Sequence, residues 1–202
     1  PMVKHYGNGF YLGLGGGAGL PAEALREGYD PGMAFVAPIG WDSPTSPLGF
    51  RVNLGYTRLA ARNTFRSTGF VTGPGVGTTT TSTVATTDPQ IWSAMADLKL
   101  RMPFLGHFGG NSGSGLYVIG GGGVNHFRNY DRSLQRTNPG FDMDATTGTV
   151  NESLTRAAWN AGAGLSIGVH NTAVFLESRY VSLVTDSQHA SFIPITVGVT
   201  FY

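Results

Sequence analysis

The sequence predicts an all-β protein, an eight-stranded antiparallel up-and-down transmembrane β-barrel. Six segments alternate apolar residues with polar residues or glycine at a period of two, and two weaker segments, 33–41 and 116–127, bring the number of predicted strands to eight. Charged residues make up only 12% of the chain, and glycine fills 31 of its 202 positions, about twice the average share. No apolar run reaches the roughly 18 residues that a transmembrane helix needs. The chain would therefore cross a membrane with strands.

Composition also excludes several classes of protein. The absence of cysteine excludes a disulfide scaffold, a thiolate metal site and a cysteine nucleophile. A net charge of +1 is too small to indicate the strongly basic surface that binds nucleic acid. We therefore predict one domain spanning residues 1–202, with no nucleic-acid partner.

The first four predicted strands have faces that the alternation identifies. Strand 8–20 carries glycine at most odd positions, and strand 33–41 alternates around Pro38, where we expect a bulge or an end of pairing because proline lacks an N–H donor. Strands 50–60 and 91–102 place apolar residues at even positions and polar residues at odd ones. Each is about as long as a tilted membrane strand requires.

The other four predicted strands complete the barrel. Strand 116–127 contains the glycine run 120–123, which leaves its two faces unassigned. Strands 157–169 and 172–184 are joined by a two-residue turn, and strand 193–201 ends the chain on alternating apolar residues. An even number of strands leaves both termini at the same end of the barrel.

The connections differ in length at the two ends of the barrel. We predict extended extracellular loops at about 21–32, 63–90 and 129–153, opposite shorter turns on the side of the termini. Segment 63–90 contains β-prone residues, but its threonines would leave a polar lipid side. We therefore expect it to form a hairpin extension rather than a ninth and tenth transmembrane strand.

The polar faces carry few charges, and these are of both signs. Buried charges must pair, and the narrow interior of an eight-stranded barrel lets long side chains meet. We expect Glu177 to accept a hydrogen bond from at least one of Arg51, Lys99 or Arg101, and Asp97 from another of them. One or two surplus cations should reach water at an end of the lumen. The predicted lumen charge network consists of Arg51, Asp97, Lys99, Arg101, Glu177 and Arg179.

Aromatic residues near the predicted strand ends would form the girdles typical of membrane barrels. This set contains Tyr6, Tyr11, Trp41, Tyr56, Trp92, Tyr117, Trp159, Tyr180 and Phe201.

Four stretches carry a resemblance to a known family. They read GFYLG at 9–13, WNAGAGL at 159–165, FLESRY at 175–180 and IPITVGVTF at 193–201. They resemble strands of the small outer-membrane barrels of the OmpA, OmpX and opacity-protein kind. The resemblance covers the predicted strands and implies a structural surface protein of the bacterial outer membrane, with no cofactor, catalytic residue or metal site.

The resemblance also implies partners and processing. The carboxyl-terminal strand is similar to the signal read by the barrel-assembly machinery, which assigns that role to Val197, Val199, Phe201 and Tyr202. Outer-membrane lipids or lipopolysaccharide are expected around the barrel, with a possible homo-oligomer or envelope protein partner. The class is made with a signal peptide, so we expect this sequence to be the mature form.

Three alternative functions remain open from the sequence. A narrow solute pore conflicts with the filled interior expected of eight strands. A lipid-modifying barrel enzyme would need groups such as His126, Ser166 and Glu177 to converge. A soluble lipocalin-like barrel would need a charged exterior, which this composition lacks. In addition, Asp142 and Asp144 begin an imperfect match to a calcium loop, which we interpret as a polar turn.

Overall fold

Eight long antiparallel strands close into a barrel, as the alternation predicts. The structure, a computed structural model, describes residues 9–23, 25–43, 46–61, 65–71, 78–84, 88–102, 114–130, 152–169, 171–184 and 190–202. The barrel strands are β1 (Phe10–Glu23), β2 (Tyr29–Asp42), β3 (Leu48–Ala61), β6 (Gln90–Met102), β7 (Gly115–Tyr130), β8 (Glu152–Val169), β9 (Thr172–Leu183) and β10 (Ala190–Phe201). Around the barrel they follow the order β1-β10-β9-β8-β7-β6-β3-β2, and the pairing of β2 with β1 completes the closed sheet.

Two further strands form a separate hairpin. Strands β4 (Phe65–Val71) and β5 (Thr78–Val84) pair with each other and belong to a two-stranded sheet of their own. The barrel therefore has eight strands rather than ten. We call the end of the barrel that carries this hairpin the loop end, and the opposite end, where β1 begins and β10 finishes, the terminus end. None of the helices within the described ranges is long and apolar enough to cross a membrane.

The predicted loop at 21–32 is wrong. Strand β1 continues to Glu23, β2 begins at Tyr29, and only the short helix α1 (Leu25–Gly28) lies in the connection. The two strands continue because Pro21 and the residues after it keep their register with β10. In addition, the side chain of Tyr29 is buried inside the barrel, which anchors the start of β2.

The expectation at Pro38 holds in part: pairing with β1 is interrupted there, but β2 has no bulge at this residue. Pro38 pairs in register with Asn53, and the register between β1 and β2 is the same on both sides of a two-residue gap in pairing near Pro38. The missing donor of proline interrupts only the ladder to β1. The irregularity of β2 lies instead between Asp30 and Met33, where the register with β3 shifts around Pro31.

The loop predicted at 129–153 lies mostly outside the described residues. Strand β7 continues to Tyr130 and β8 begins at Glu152, so both strands are longer than their predicted ranges. Residues 131–151, which include the imperfect calcium-loop match, are not among those described.

The alternation separates an outer apolar wall from a filled interior. The large side chains of the predicted apolar faces point outward: Leu98 is 66% exposed, and most of the others expose a third or more of their surface. The interior has two layers. Charged and polar side chains fill it from the terminus end to the middle, and an apolar cluster fills it at the loop end.

Candidate functional site

Four charged side chains meet in the middle of the barrel and form what we call the ion cluster. An Arg51 Nη1–Glu177 Oε2 distance of 2.7 Å and an Arg51 Nε–Asp97 Oδ2 distance of 3.4 Å join β3 to β9 and β6. Arg179 Nε lies 2.9 Å from Glu177 Oε1, and its Nη1 lies 3.9 Å from Asp97 Oδ2. The cluster contains two cations and two anions and is almost inaccessible to solvent, so its formal charges cancel inside the barrel wall.

Neutral donors complete the coordination of both carboxylates. Asn53 and Asn160 donate from β3 and β8 to Asp97. The Tyr117 hydroxyl donates to Glu177 Oε2 over 2.8 Å. Each buried anion therefore has both charged and neutral partners, which is the condition for tolerating a buried carboxylate. The amides and the tyrosine were not among the predicted site residues, although all three occupy inward positions of the alternation.

Lys99 and Arg101 lie nearer the terminus end and do not contact the ion cluster's carboxylates. Lys99 Nζ lies 2.9 Å from Asp42 Oδ2 and 4.8 Å from the centre of the Tyr117 ring. Arg101 donates from Nη2 to the backbone oxygens of Ser43 and Ser46 in the β2–β3 turn. Of the three expected donors, Arg51 therefore reaches Glu177 as predicted, whereas Lys99 and Arg101 reach neither carboxylate of the cluster. Asp42 was missed because it sits at the end of its strand, beside a proline-containing turn.

Glycines make room for these large side chains. Gly162 and Gly164 of β8 pair with Arg179 and Glu177 of β9. A Cβ atom at Gly164 would overlap the ring of Tyr117, and one at Gly162 would lie 2.7 Å from Arg179 Cγ. The glycine-rich inward face therefore follows from crowding inside a narrow barrel.

An apolar plug closes the loop end of the interior. Inward positions of the strands change from charged to apolar beyond the ion cluster, and Leu25 of α1 caps them. All members of the plug expose 5% or less of their surface. It consists of Leu25, Tyr29, Leu59, Ile91, Met95, Phe127, Ala158, Val181, Leu183, Ala190 and Phe192.

The aromatic girdle expectation is partly wrong. Tyr11 and Tyr117 are buried in the interior, because both occupy inward positions of their strands. The outward aromatics include Trp41, Trp92 and Phe201, and the Trp159 ring packs on Tyr180 at 5.5 Å between ring centres. Tyr6 lies outside the described residues.

The groups considered for an enzyme do not converge. His126 faces outward, and its Nδ1 lies 2.8 Å from Thr155 Oγ1. Glu177 belongs to the ion cluster inside the barrel, and the Ser166 hydroxyl lies 3.5 Å from the Gly115 oxygen near the terminus end. Within the described ranges, no three histidine, aspartate or glutamate side chains are arranged to hold a metal ion.

The four residues of the predicted assembly signal lie at the end of β10, which pairs with β1. Val197 and Phe201 point outward from β10, and Val199 shares their face with less exposure. Tyr202 follows the strand, and its ring centre lies 5.7 Å from that of Tyr11.

Comparison with known proteins supports the fold. No protein-family model matches the sequence, and no curated protein matches it significantly. Among solved structures, the Neisserial surface protein A superposes with a TM-score of 0.55 at 14% identity, covering 96% of both chains. The N-terminal β-barrel domain of Pseudomonas aeruginosa OprF aligns over 95% of this chain and 96% of its own, at 11% identity and a TM-score of 0.45. The superposition on the Neisserial surface protein A shows that the chain has the fold of small eight-stranded outer-membrane barrels, as the resemblance in its sequence predicts.

Proposed function

We propose that this protein is a non-catalytic surface barrel of the bacterial outer membrane that holds its loop-end segments at the cell exterior. The observation that carries this proposal is the filled interior. The ion cluster and the apolar plug fill the interior, so the barrel acts as a support for its loop-end segments rather than as a channel. Its function would then lie in its outer wall and its loop-end segments.

The outer wall supports the membrane location. Large apolar side chains are exposed on the barrel strands, among them Leu14, Leu98 and Val197. Contiguous apolar surface of this kind is costly in water and favourable in lipid. Closure of the barrel pairs the strand edges, so the backbone can cross hydrocarbon without unsatisfied groups.

The filled interior weighs against the pore alternative. A conducting path would have to displace both a hydrogen-bonded charge cluster and a packed apolar layer. In planar bilayers, we expect the purified barrel to give no stable single-channel currents. Reproducible currents would favour the narrow pore.

The proposed outer-membrane location also suggests which partners the barrel meets. We propose that Val197, Val199, Phe201 and Tyr202 form the strand recognised by the barrel-assembly machinery, and that outer-membrane lipids surround the wall. A homo-oligomer or an envelope protein partner would bind through the wall or the loops. Truncating Phe201 and Tyr202 should lower the amount of folded barrel in cells, measured by the heat-dependent shift of its electrophoretic mobility.

Surface display can be tested with single cysteines, because the natural chain contains none. A membrane-impermeant maleimide should label Thr80→Cys, in the β4–β5 hairpin, on intact cells. The matched control is Ser46→Cys, in the turn between β2 and β3 at the terminus end, which should react only after the outer membrane is permeabilised. The reverse pattern would contradict the orientation, and equal protection of both would contradict surface display.

A further inference from the structure

A broad apolar groove crosses the outer wall of the barrel, away from the filled interior. Its volume is about 860 Å³. Its lining includes the small residues Ala37 and Ala94, which we call its floor, and bulky residues such as Phe35 and Trp92. Large apolar side chains of its lining, among them Leu14, Leu54 and Val197, point outward and are exposed.

The register of the strands explains the shape of the groove. Ala37 of β2, Leu54 of β3 and Ala94 of β6 occupy one cross-strand row, so two small side chains flank a larger one. The next row toward the loop end contains Tyr56 and Trp92, whose ring centres lie 4.8 Å apart. The floor is therefore bounded on its loop-end side by a wall of aromatic rings.

Basic side chains lie just beyond this aromatic wall. His126 of β7 pairs with Trp92, and two residues further toward the loop end Arg128 pairs with Gln90, which in turn pairs with Arg58. Both arginines are exposed and occupy outward positions. Their strands are two apart, which places their Cα atoms about 10 Å from each other. The outer surface of the barrel therefore changes from apolar to basic on the loop-end side of the groove.

We propose that this groove binds an acyl chain of an anionic outer-leaflet lipid that carries phosphate monoesters, unlike the zwitterionic diester of phosphatidylethanolamine. Arg128 would hold one of these phosphates, assisted by Arg58 and His126. The inference rests on the proposed outer-membrane location, which puts the loop end in the outer leaflet. The guanidinium of arginine matches phosphate oxygens in a two-point contact. Arg58 also pairs with Asp88 at 2.7 Å, so Arg128 carries most of the expected phosphate binding.

Charge favours a lipid over a second copy of the chain. In a two-fold dimer seated on this groove, the arginines of both copies would face each other at the same depth of the membrane. Like charges in a weakly screened environment repel, whereas an anionic headgroup neutralises them. The concave apolar floor also suits a flexible chain better than the convex wall of another barrel.

The binding test uses the whole barrel in mild detergent. Native mass spectrometry would measure the bound fraction of lipid A, of its monophosphoryl form and of phosphatidylethanolamine. We expect preference for the doubly phosphorylated lipid. Arg128→Gln should weaken its binding about tenfold while changing phosphatidylethanolamine binding little, and Ala94→Phe, which fills the floor, should weaken all three. The matched controls are Arg26→Gln, an exposed arginine at the same end, and Ala161→Phe, on the outward face of β8.

Several outcomes would overturn the lipid site. One is equal binding by Arg128→Gln and Arg26→Gln, and another is equal binding by Ala94→Phe and Ala161→Phe. A dimer that Ala94→Phe dissociates would make the groove an interface between copies instead. Thermal unfolding of each variant checks that the barrel is intact. Because surface labelling tests the orientation independently, loss of lipid binding with normal labelling would refute the lipid site alone.

Discussion

Individual side chains inside the barrel are held by their charge partners. Glu177 forms ion pairs with Arg51 and Arg179, accepts a hydrogen bond from Tyr117, and is 2% exposed. Its negative charge is therefore compensated by contacts from three different strands. Removing one member of such a group leaves the others as buried, unpaired charges.

We predict that Glu177→Gln lowers the free energy of unfolding by about 3–5 kcal/mol. The amide keeps the shape of the carboxylate but cannot compensate Arg51 and Arg179. Urea titration of the barrel refolded in lipid vesicles would measure the loss. Asp88→Asn is the control, because its exposed pair with Arg58 should contribute about 1 kcal/mol or less. Equal losses in the two variants would contradict a compensated buried cluster.

The glycines of β8 offer a second test at this scale. We predict that Gly164→Ala lowers the free energy of unfolding by about 1–3 kcal/mol, because its methyl group would collide with the Tyr117 ring. Gly120→Ala, on the outward face of β7, adds a methyl group with no contact closer than 3.8 Å and should be nearly neutral. The same unfolding titration applies, and a neutral Gly164→Ala would mean that the interior is loosely packed.

At the scale of elements, β3 and β6 are latched at the loop end by Asp88. Its carboxylate accepts a hydrogen bond from the Ala61 backbone N–H over 2.9 Å and pairs with Arg58. The Ala61 N–H and the Arg58 guanidinium hold the pKa of Asp88 below its ordinary value of 3.8. A lowered folded-state pKa means that the latch stabilises the fold above about pH 3.8 and is lost as the pH falls through the folded-state value.

We therefore predict an acid-dependent opening of this edge. The protection factor of the Ala61 amide against hydrogen exchange should fall in wild-type protein as the pH drops below 3.8. Asp88→Asn should show no such step, because its amide does not titrate in this range. Identical pH profiles for the two proteins would contradict the latch.

The outward faces of the strands give a prediction about lipid. Leu98 of β6 is 66% exposed and lies inside its strand, which runs from Gln90 to Met102. Leu98→Arg should cost about 2–4 kcal/mol of stability in bilayers, whereas Phe10→Arg, at the start of β1, should cost about 1 kcal/mol or less because it lies near the interface. Similar costs at the two positions, measured by refolding into vesicles, would argue against a membrane wall at Leu98.

On the scale of the whole molecule, the barrel is sealed twice. The ion cluster and the apolar plug are successive layers along the axis, formed by different residues of the same strands. We predict that Glu177→Ala lowers the midpoint of thermal unfolding without producing conductance in planar bilayers, because the plug still closes the loop end. Large currents through this variant would show that the ion cluster alone seals the barrel.

Alternation along the chain predicts the number of barrel strands and most of their faces, because it is local and each face meets one environment. It also predicts Arg51, Asp97, Glu177 and Arg179 as inward charges. The pairing of the inward charges follows from the fold instead: Lys99 pairs with Asp42 and Arg101 with turn carbonyls. The fold likewise decides that Tyr29 and Leu25 help to close the loop end. The physical reason is that contacts across the interior depend on the stagger between strands, which neighbouring residues in the sequence do not specify.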